Sequence, residues 1–584
     1  MKKITLLIIS VFLSVQTIKA QVVLDTNLIT IKWTGTTLPS PYFIQANPRG
    51  TGTEWFAIVD NTTKSNITNY AKNIPSGITY FTPPSSTAPI PFDNIVTTLV
   101  TATNNLFNQA VTFNQPIGSW DVTNVTDMSS MFENANAFNQ SISSWNVGNV
   151  TNMFRLFFNT FDFNQNIGSW DVSDVTNMAY LFFYASSFNQ PVGSWNVNNG
   201  SNMSYMFYGA SSFNQPIGSW NVSSVINMAN MFKSAPVFNQ PIDSWNVSSV
   251  TDMNSMFSGA SSFNQPIGSW NVSSVTDMNS MFYVATSFNQ NISAWNVSNV
   301  TNMSNMFSSA INFNLPIGSW NVGNVTNMSG MFNAATAFNQ PIDSWNVSSV
   351  TDMSYMFKSD PAFNQPIGSW NVGSVTNMSN MFKSATAFNQ PIDSWNVSSV
   401  TNMDSMFFGA SSFNQPIGSW DVGNVTNMLS MFTGVQLSVV NYDTLLIGWS
   451  TIIAPSENPL EPNVVFSGGN SYYCNGEPAR TSILNTYSWT ITDAGLAVNC
   501  SDLATEVFDK SSVSLYPNPT SSLLNTMIEP SIVNQPYTII DNLGRVVLNG
   551  KLNEGNTSIS VEQLSEGIYY LKVSDRTATK FIKE

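Results

Sequence analysis

Residues 263–287 read FNQPIGSWNVSSVTDMNSMFYVATS, and the chain from Phe113 to about Leu437 repeats this 25-residue pattern thirteen times without a gap. We number each copy from its first phenylalanine as position 1. Phe then fills positions 1 and 20, Trp fills position 8 and Met fills position 16 in every copy. A fixed period of this length is typical of a solenoid, in which each unit stacks on the next.

Eight positions of each copy are apolar and are predicted to point inward, namely 1, 5, 8, 10, 13, 16, 19 and 20. One copy alone buries too little apolar surface to offset the conformational entropy that is lost when its backbone is ordered. Neighbouring copies must therefore share one core, which is why such repeats occur in arrays.

The spacing of these residues predicts the local structure of a copy. Alternation at positions 8 and 10, as in Trp270 and Val272, predicts a short strand. The three-and-four spacing of positions 13, 16, 19, 20 and 23 predicts a turn of helix or 3₁₀ helix. Strands of successive copies would then form one long parallel sheet with a spacing of about 4.8 Å.

The segment Val125-x-x-Met128-x-x-Met131-Phe132-x-x-Ala135 resembles half of the BspA-type leucine-rich repeat. The longer pattern W-N-V-S-x-V-T-x-M-x-x-M-F is similar to that of BspA-like surface proteins with a repeat of about 25 residues. The resemblance covers the whole array. It implies a leucine-rich-repeat-like solenoid with short parallel strands and helical or 3₁₀ turns on a bacterial surface. It implies no catalytic residue.

The composition excludes several classes of function. The chain has 584 residues, no histidine and a net charge of −15, although only 9% of its residues are charged. An acidic chain without a basic stripe is not expected to bind nucleic acid or an anionic membrane. The absence of histidine removes the commonest general base and the commonest transition-metal ligand. We expect no cofactor and no metal site.

The two ends of the array are expected to differ from the repeats. Residues 1–20 combine Lys2 and Lys3 with a short apolar run, which predicts a secretory signal rather than a membrane helix. Residues 21–87 are predicted to form a small β-rich leader. Residues 88–112 form a degenerate copy, because Leu106-Phe107 lies 25 residues before Met131-Phe132, and we expect it to cap the core.

Residues 438–500 leave the repeat pattern and are predicted to form a C-terminal cap module with short helices at 442–449 and 477–487. They contain the only cysteines, Cys474 and Cys500. In a secreted chain two cysteines are expected to pair, with two free buried thiols as the alternative.

A polar linker is predicted at 501–510, before a separate domain at 511–584. Three motifs follow in order there: LYPNP at 515–519, GIYYL at 567–571 and KFIK at 580–583. They resemble the type A sorting domain of type IX secretion, a β-sandwich. The resemblance implies export across an outer membrane by that machinery, removal of the domain and attachment of the mature protein to surface glycolipid. The signal residues would be Tyr516, Pro517, Asn518, Pro519, Gly567, Tyr569, Lys580 and Lys583. The alternative is an ordinary β-sandwich binding module.

Asparagine fills position 2 of every copy, and positions 9 and 15 are always Asn or Asp. Ladders of identical amides are expected to satisfy turns along the array. Calcium is the alternative, but that ion prefers several carboxylates together, whereas most copies carry the neutral amide. No nucleophile with a base and no converging carboxylate pair is evident, so an enzyme is not expected.

The sequence therefore predicts a secreted, monomeric surface protein that acts as a non-catalytic adhesin or scaffold for a host or neighbouring-cell protein or glycan. Alternatives are a glycan-binding module of a polysaccharide-utilising system and, less favoured, an enzyme. Ser at position 7 and Asx at position 9 predict a flat, nearly uncharged outer face. Positions 18 and 21 become aromatic in copies two to four, which indicates either a binding strip or rings that shield the core: Phe158, Tyr180, Phe183, Tyr205 and Tyr208.

Overall fold

The computed structural model divides the chain into two compact units, one ending at Leu496 and the other beginning at Ala497. The described residues are 21–73, 80–452, 459–498, 500, 513–516, 518–528, 533–541, 545–553, 557–573 and 579–584. The predicted signal at 1–20 and the predicted linker at 501–510 lie outside them. No helix in the described part of the chain has the length and hydrophobicity needed to cross a membrane.

The described part of residues 21–99, which covers the leader and the start of the degenerate copy, contains short strands and one α-helix. Strands β1 and β2 form an antiparallel hairpin, and β3, β4 and β5 form a second sheet in which β4 and β5 run parallel. The bounds are β1 Val22–Leu24, β2 Ile31–Trp33, β3 Phe43–Ala46, β4 Glu54–Asp60, α1 Ser65–Lys72, a 3₁₀ turn Phe92–Asn94 and β5 Ile95–Leu99. Within the degenerate copy, the Phe107 ring stacks on that of Phe132 in the first copy at 5.3 Å.

Residues 113–437 are all described and form consecutive turns, without a helix or an extended strand. Copies pair through single parallel bridges at position 15, for example between Asp252 and Asp277 and between Asp277 and Asn302. The pairing partners are 25 residues apart along the whole array.

Backbone amides in the second half of each copy alternate between two kinds of partner. The backbone amides of positions 18 and 20 donate to carbonyl oxygens of the next copy. Ser255 N donates to Asn279 O at 2.8 Å, and Phe257 N donates to Met281 O at 2.9 Å. Position 19 donates back within its copy, as Met256 N does to Met253 O at 3.1 Å. These i to i−3 bonds have the 3₁₀ pattern, but every second amide is used between copies, so no continuous helix forms.

The predicted strand at positions 7–10 is wrong, and side chains explain why. The Trp270 indole Nε1 donates to the backbone oxygen of Ile242 at 3.0 Å, and the Ser269 hydroxyl donates to that of Asp243 at 3.2 Å. Equivalent bonds recur between almost all successive copies. The backbone here also turns within its own copy, because Trp270 N donates to Ile267 O at 3.2 Å and Val275 N donates to Val272 O at 3.0 Å, so the expected long sheet does not form.

The predicted inward positions are confirmed, because their side chains are buried in nearly every copy. Identical rings stack along the array: Trp245 and Trp270 lie 6.4 Å apart with an angle of 4° between planes, and Phe257 and Phe282 lie 5.8 Å apart. One hydrophobic cluster runs from the leader to the C-terminal cap. Burial shared between copies provides the apolar contacts that one copy lacks.

The cap module covers the last copy. Met428 forms a parallel bridge with Phe466, and Ser438 N and the Asn441 amide both donate to Asn414 Oδ1, at 2.8 and 2.9 Å. Its elements are α2 Val439–Ser450, β6 Val465–Ser467, β7 Tyr472–Tyr473, α3 Glu477–Tyr487, β8 Thr490–Thr492 and β9 Gly495–Leu496. Both predicted helices are present. Neither Cys474 nor Cys500 is a free thiol.

The second unit consists of two antiparallel sheets, ordered β10-β11-β14 and β13-β12-β15-β16. Leu524 and Ile559 of the first sheet share a core with Ile539, Leu571 and Phe581 of the second. The strands are β10 Val513–Tyr516, β11 Leu523–Ile528, β12 Pro536–Asp541, β13 Val546–Lys551, β14 Thr557–Ser560, β15 Gly567–Val573 and β16 Thr579–Lys583.

Candidate functional site

Two columns of aromatic rings lie side by side on copies two to four. The first column contains Phe158, Phe183 and Tyr208, whose ring centroids are 4.4 and 4.6 Å apart. The second contains Tyr180 and Tyr205, 4.4 Å apart with 5° between planes. All five rings are half-buried. We call these five residues the aromatic strip. Because its rings stack face to face, the columns present mainly ring edges to solvent.

Tyr184, at position 22, lies across the first column. Its ring is 4.9 Å from that of Phe183 at 88° and 5.2 Å from that of Tyr208 at 76°. Tyr184 is 40% exposed, more than any ring of the strip. Gly209 leaves room for it, because a Cβ at that position would lie 2.3 Å from the Tyr184 ring.

A cation lies near each end of the strip. The Arg155 guanidinium lies 5.0 Å from the Phe158 ring centroid and 5.1 Å from that of Tyr180. It also pairs with Glu133 at 3.5 Å, while its buried Nε has no hydrogen-bond partner. The Lys233 ammonium lies 5.8 Å from the Tyr208 ring. Cations in this position are attracted by the ring faces, so the first column has a cation near each end and the second column has one near Tyr180.

The backbone that carries these rings is strained. Tyr180 and Tyr205 have φ of 59°, and Tyr184 has φ of 51°. Position 18 is left-handed in every copy, and most other copies place Ser, Asn or Gly there. A bulky residue in this region is uncommon and destabilising, and such outliers often accompany function.

The strip is separate from the hydrophobic core beneath it. Among the described residues its rings belong neither to the buried cluster nor to the partly buried side chains that pack on that cluster. Burial nevertheless raises the pKa of Tyr205 and Tyr208, with smaller contributions from the neighbouring hydroxyls of Tyr180 and Tyr184 respectively. Both phenols are therefore neutral hydrogen-bonding groups at physiological pH.

The Asx positions make structural hydrogen bonds. Asn239 Oδ1, at position 2, accepts from Asn264 N at 3.0 Å and from the Gln265 amide at 2.8 Å. Asp277 Oδ1, at position 15, accepts from Asn279 N of its own copy at 2.7 Å. The described part of the chain contains no group of three or more His, Cys, Asp or Glu placed to hold a metal ion. The calcium alternative therefore receives no support from the position-15 residues.

The sorting motifs come together in the second unit. Asn518 Oδ1 accepts from Ile582 N at 2.9 Å, and the Asn518 amide donates to Lys580 O at 3.2 Å. Tyr569 and Phe581 stack at 5.8 Å within the sheet that contains Gly567 and Lys583. Pro517 lies outside the described residues, while Tyr516 and Pro519 flank Asn518. The first motif thus holds the last strand through one side chain.

The sequence reasoning missed two residues of the aromatic surface, Arg155 and Tyr184. Both lie at positions with positive φ, which the sequence pattern did not reveal. A usable signal was present for Tyr184, because it is the only aromatic residue at position 22 in thirteen copies. Tyr283, Tyr355 and Phe408 remain isolated rings farther along the array.

A family model described as Mycoplasma protein of unknown function, DUF285, matches residues 80–191, 158–270, 260–359 and 339–444. Together these segments span more than half of the chain. The chain belongs to this family. Each match is about 100 residues long, so the family unit is longer than the 25-residue spacing of the bridges. No curated protein matches the chain significantly.

Residues 514–584 match a second family model, described as a secretion system C-terminal sorting domain. The protein is therefore secreted and located at the cell surface of an outer-membrane bacterium. The sorting domain also implies an interaction with the type IX secretion machinery. Both statements agree with the predictions made from the three C-terminal motifs.

Proposed function

We propose that this DUF285-family chain is a non-catalytic adhesin or binding scaffold of the bacterial surface, and that the aromatic strip lies in its binding surface. The observation that carries the proposal is the cluster of half-buried rings that is separate from the core and has Tyr180 and Tyr205 on left-handed backbone. Because these side chains neither fill the core nor relieve backbone strain, core stability does not explain them, and a binding role does.

We further propose that the array is a leucine-rich-repeat-like solenoid of the BspA type. Parallel bridges at a constant spacing and continuous stacks of Trp and Phe support this proposal. In such an array each copy contacts only its neighbours, and a variable surface can be built on a constant core. The strip is a local variation of this kind, because only copies two to four carry it.

The non-catalytic part of the proposal is supported by the sequence. The chain has no histidine, and its carboxylates are spread over the array. General acid–base chemistry needs titratable groups that converge on one place. A glycan-binding module of a polysaccharide-utilising system is the second candidate, favoured by residues 179–187 and 204–212, which carry hydroxyls and no charged side chain.

The test replaces Tyr180, Tyr205 and Tyr208 by Ser in the full chain. Ser occupies positions 18 and 21 in other copies, for example Ser255 and Ser258, so the variant is expected to fold. Beads coated with each protein are then compared for attachment to immobilised bacterial cells and to cultured epithelial cells. The proposal expects attachment to be lost while the melting temperature changes little. Tyr355→Ser is the matched control, since this exposed tyrosine has the same left-handed backbone, with φ of 61°.

Two results would mean that the rings only stabilise the array. One is normal attachment by the folded triple variant. The other is a large drop in its melting temperature while the folded fraction still attaches. Release of reducing sugars from a polymer by the wild-type chain would contradict the non-catalytic proposal.

A further inference from the structure

We propose that Tyr184 is the stacking platform of a subsite for a neutral polysaccharide, with a pyranose ring lying on its outer face. This inference rests on the proposed function and specifies its ligand. It differs from the expectation for the strip itself, whose stacked rings offer edges rather than faces.

The orientation of Tyr184 follows from its neighbours. Both faces of Phe183 are covered, by Phe158 at 4.4 Å and by Tyr208 at 4.6 Å. The perpendicular contact between Phe183 and Tyr184 must therefore place the edge of Phe183 against the face of Tyr184. Tyr208 contacts the same ring at 76°. One face of Tyr184 is thus supported by the column, and the opposite face accounts for its 40% exposure.

The support also fixes the ring. Tyr184 is held by perpendicular contacts with the Phe183 and Tyr208 rings, and the next copy has Gly209 where a Cβ would collide with the Tyr184 ring. A flat ring held before the ligand arrives loses little conformational freedom on binding. Position 22 is Asn, Ser, Gly, Ala or Val in the other copies, so a tyrosine with φ of 51° is costly there and stacking of a ligand would account for it.

The surroundings of Tyr184 identify the class of ligand. Residues 179–187 and 204–212 contain no charged side chain but contain several hydroxyls. At one end of the strip the charge of Arg155 is compensated by Glu133, and at the other end the Lys233 ammonium lies 5.8 Å from the Tyr208 ring centroid. A pyranose ring offers C–H groups for the negative face of an aromatic ring and hydroxyls for polar neighbours. An acidic polymer would meet a chain with a net charge of −15, which disfavours it.

The experiment titrates the full chain with cellohexaose, laminarihexaose and mannohexaose, and with hexagalacturonate as the acidic probe, by isothermal calorimetry. At least one neutral hexasaccharide is expected to bind. Tyr184→Asn, which installs the residue that Asn159 provides in the preceding copy, is expected to weaken binding about tenfold or more. Its melting temperature should be equal or higher, because Asn tolerates positive φ. Tyr184→Phe keeps the face and should stay within about threefold of wild type.

Tyr355→Asn is the matched control. Tyr355 has φ of 61° and 40% exposure, but the Lys358 ammonium lies 5.2 Å from its ring. This substitution should leave the affinity unchanged. A protein ligand would give a different result. Protease treatment of the target cells would then abolish the attachment of coated beads, and periodate treatment would not.

The inference is overturned if no neutral hexasaccharide binds, if Tyr184→Asn binds as tightly as wild type, if hexagalacturonate binds more tightly than the neutral probes, or if attachment depends on protein alone. The triple strip variant decides the proposed function separately. Attachment lost in that variant without any glycan binding would refute the subsite and leave the proposed function standing.

Discussion

Replacing Asp360 with alanine is expected to stabilise the protein, and the gain should grow with pH. Asp360 lies at position 23, where the adjacent copies have Ala335 and Ala385. Its side chain is buried with 0% exposure, and its Oδ2 has no hydrogen-bond partner. Asp360 Oδ1 accepts from Ala362 N at 3.2 Å, which satisfies only one of the two oxygens.

The magnitude follows from the pKa. Burial raises the pKa of Asp360 from 3.8 to about 8, against the opposing effect of hydrogen bonds from the Ala362 and Phe363 amides. The folded state therefore binds the proton more tightly than the unfolded state. The unfolding free energy is unaffected below about pH 4, falls as pH rises from about 4 to about 8, and is constant above that. At about 1.4 kcal/mol per pKa unit, the loss is about 4 kcal/mol at pH 7 and about 5–6 kcal/mol above pH 8.

The assay is urea unfolding, followed by tryptophan fluorescence, of wild type and Asp360→Ala at about pH 5, 7 and 8.5. The hydrogen bond from Ala362 N that the variant loses reduces its gain by about 1–2 kcal/mol, leaving about 2–3 kcal/mol at pH 7. The difference between the two proteins should rise by about 4 kcal/mol between pH 5 and pH 8.5.

Two controls separate the carboxyl group from other effects. Asp360→Asn keeps an acceptor but cannot ionise, so its stability should lack this pH dependence. Asp343→Asn removes an exposed carboxylate of the same copy and should behave as wild type. A constant difference between wild type and Asp360→Ala across this pH range would refute the reasoning.

Four further predictions concern the array and the ends of the chain. Trp270→Ala should cost about 3–5 kcal/mol through the cavity it leaves, measured by urea unfolding, and Trp270→Phe clearly less. Asn239→Ala should cost about 1–2 kcal/mol, since Asn264 N loses its acceptor and the Gln265 amide keeps only the backbone oxygen of residue 239, and an equally stable variant would exclude the amide ladder as a stabilising feature. Deleting Phe263–Ser287 should leave a folded, secreted protein, as judged by circular dichroism, and unfolding would contradict a nearest-neighbour array. Mass spectrometry of the surface fraction should detect neither residues 1–20 nor roughly the last 74, and an intact C-terminus there would exclude removal of the sorting domain.

The sequence by itself determined the period of the array, the inward residues and the sorting domain. Phe, Trp and Met recur at constant positions, and burial of apolar side chains depends on residue type and spacing, both of which are printed in the chain. The same holds for helix α3, which begins and ends at the predicted residues Glu477 and Tyr487, and for the C-terminal motifs, of which GIYYL and KFIK lie on the paired strands β15 and β16.

Only the tertiary structure decided which backbone atoms pair and which rings face solvent. Trp270 alternates with Val272 as in a strand, but the Trp270 indole and the Ser269 hydroxyl bond the preceding copy and the local backbone bonds within its own copy, so no ladder forms. The five strip residues were visible in the sequence, whereas their face-to-face stacking and the exposed face of Tyr184 depend on left-handed φ values and on Gly209 in the next copy. Contacts between copies 25 residues apart set these features, so local propensity does not specify them.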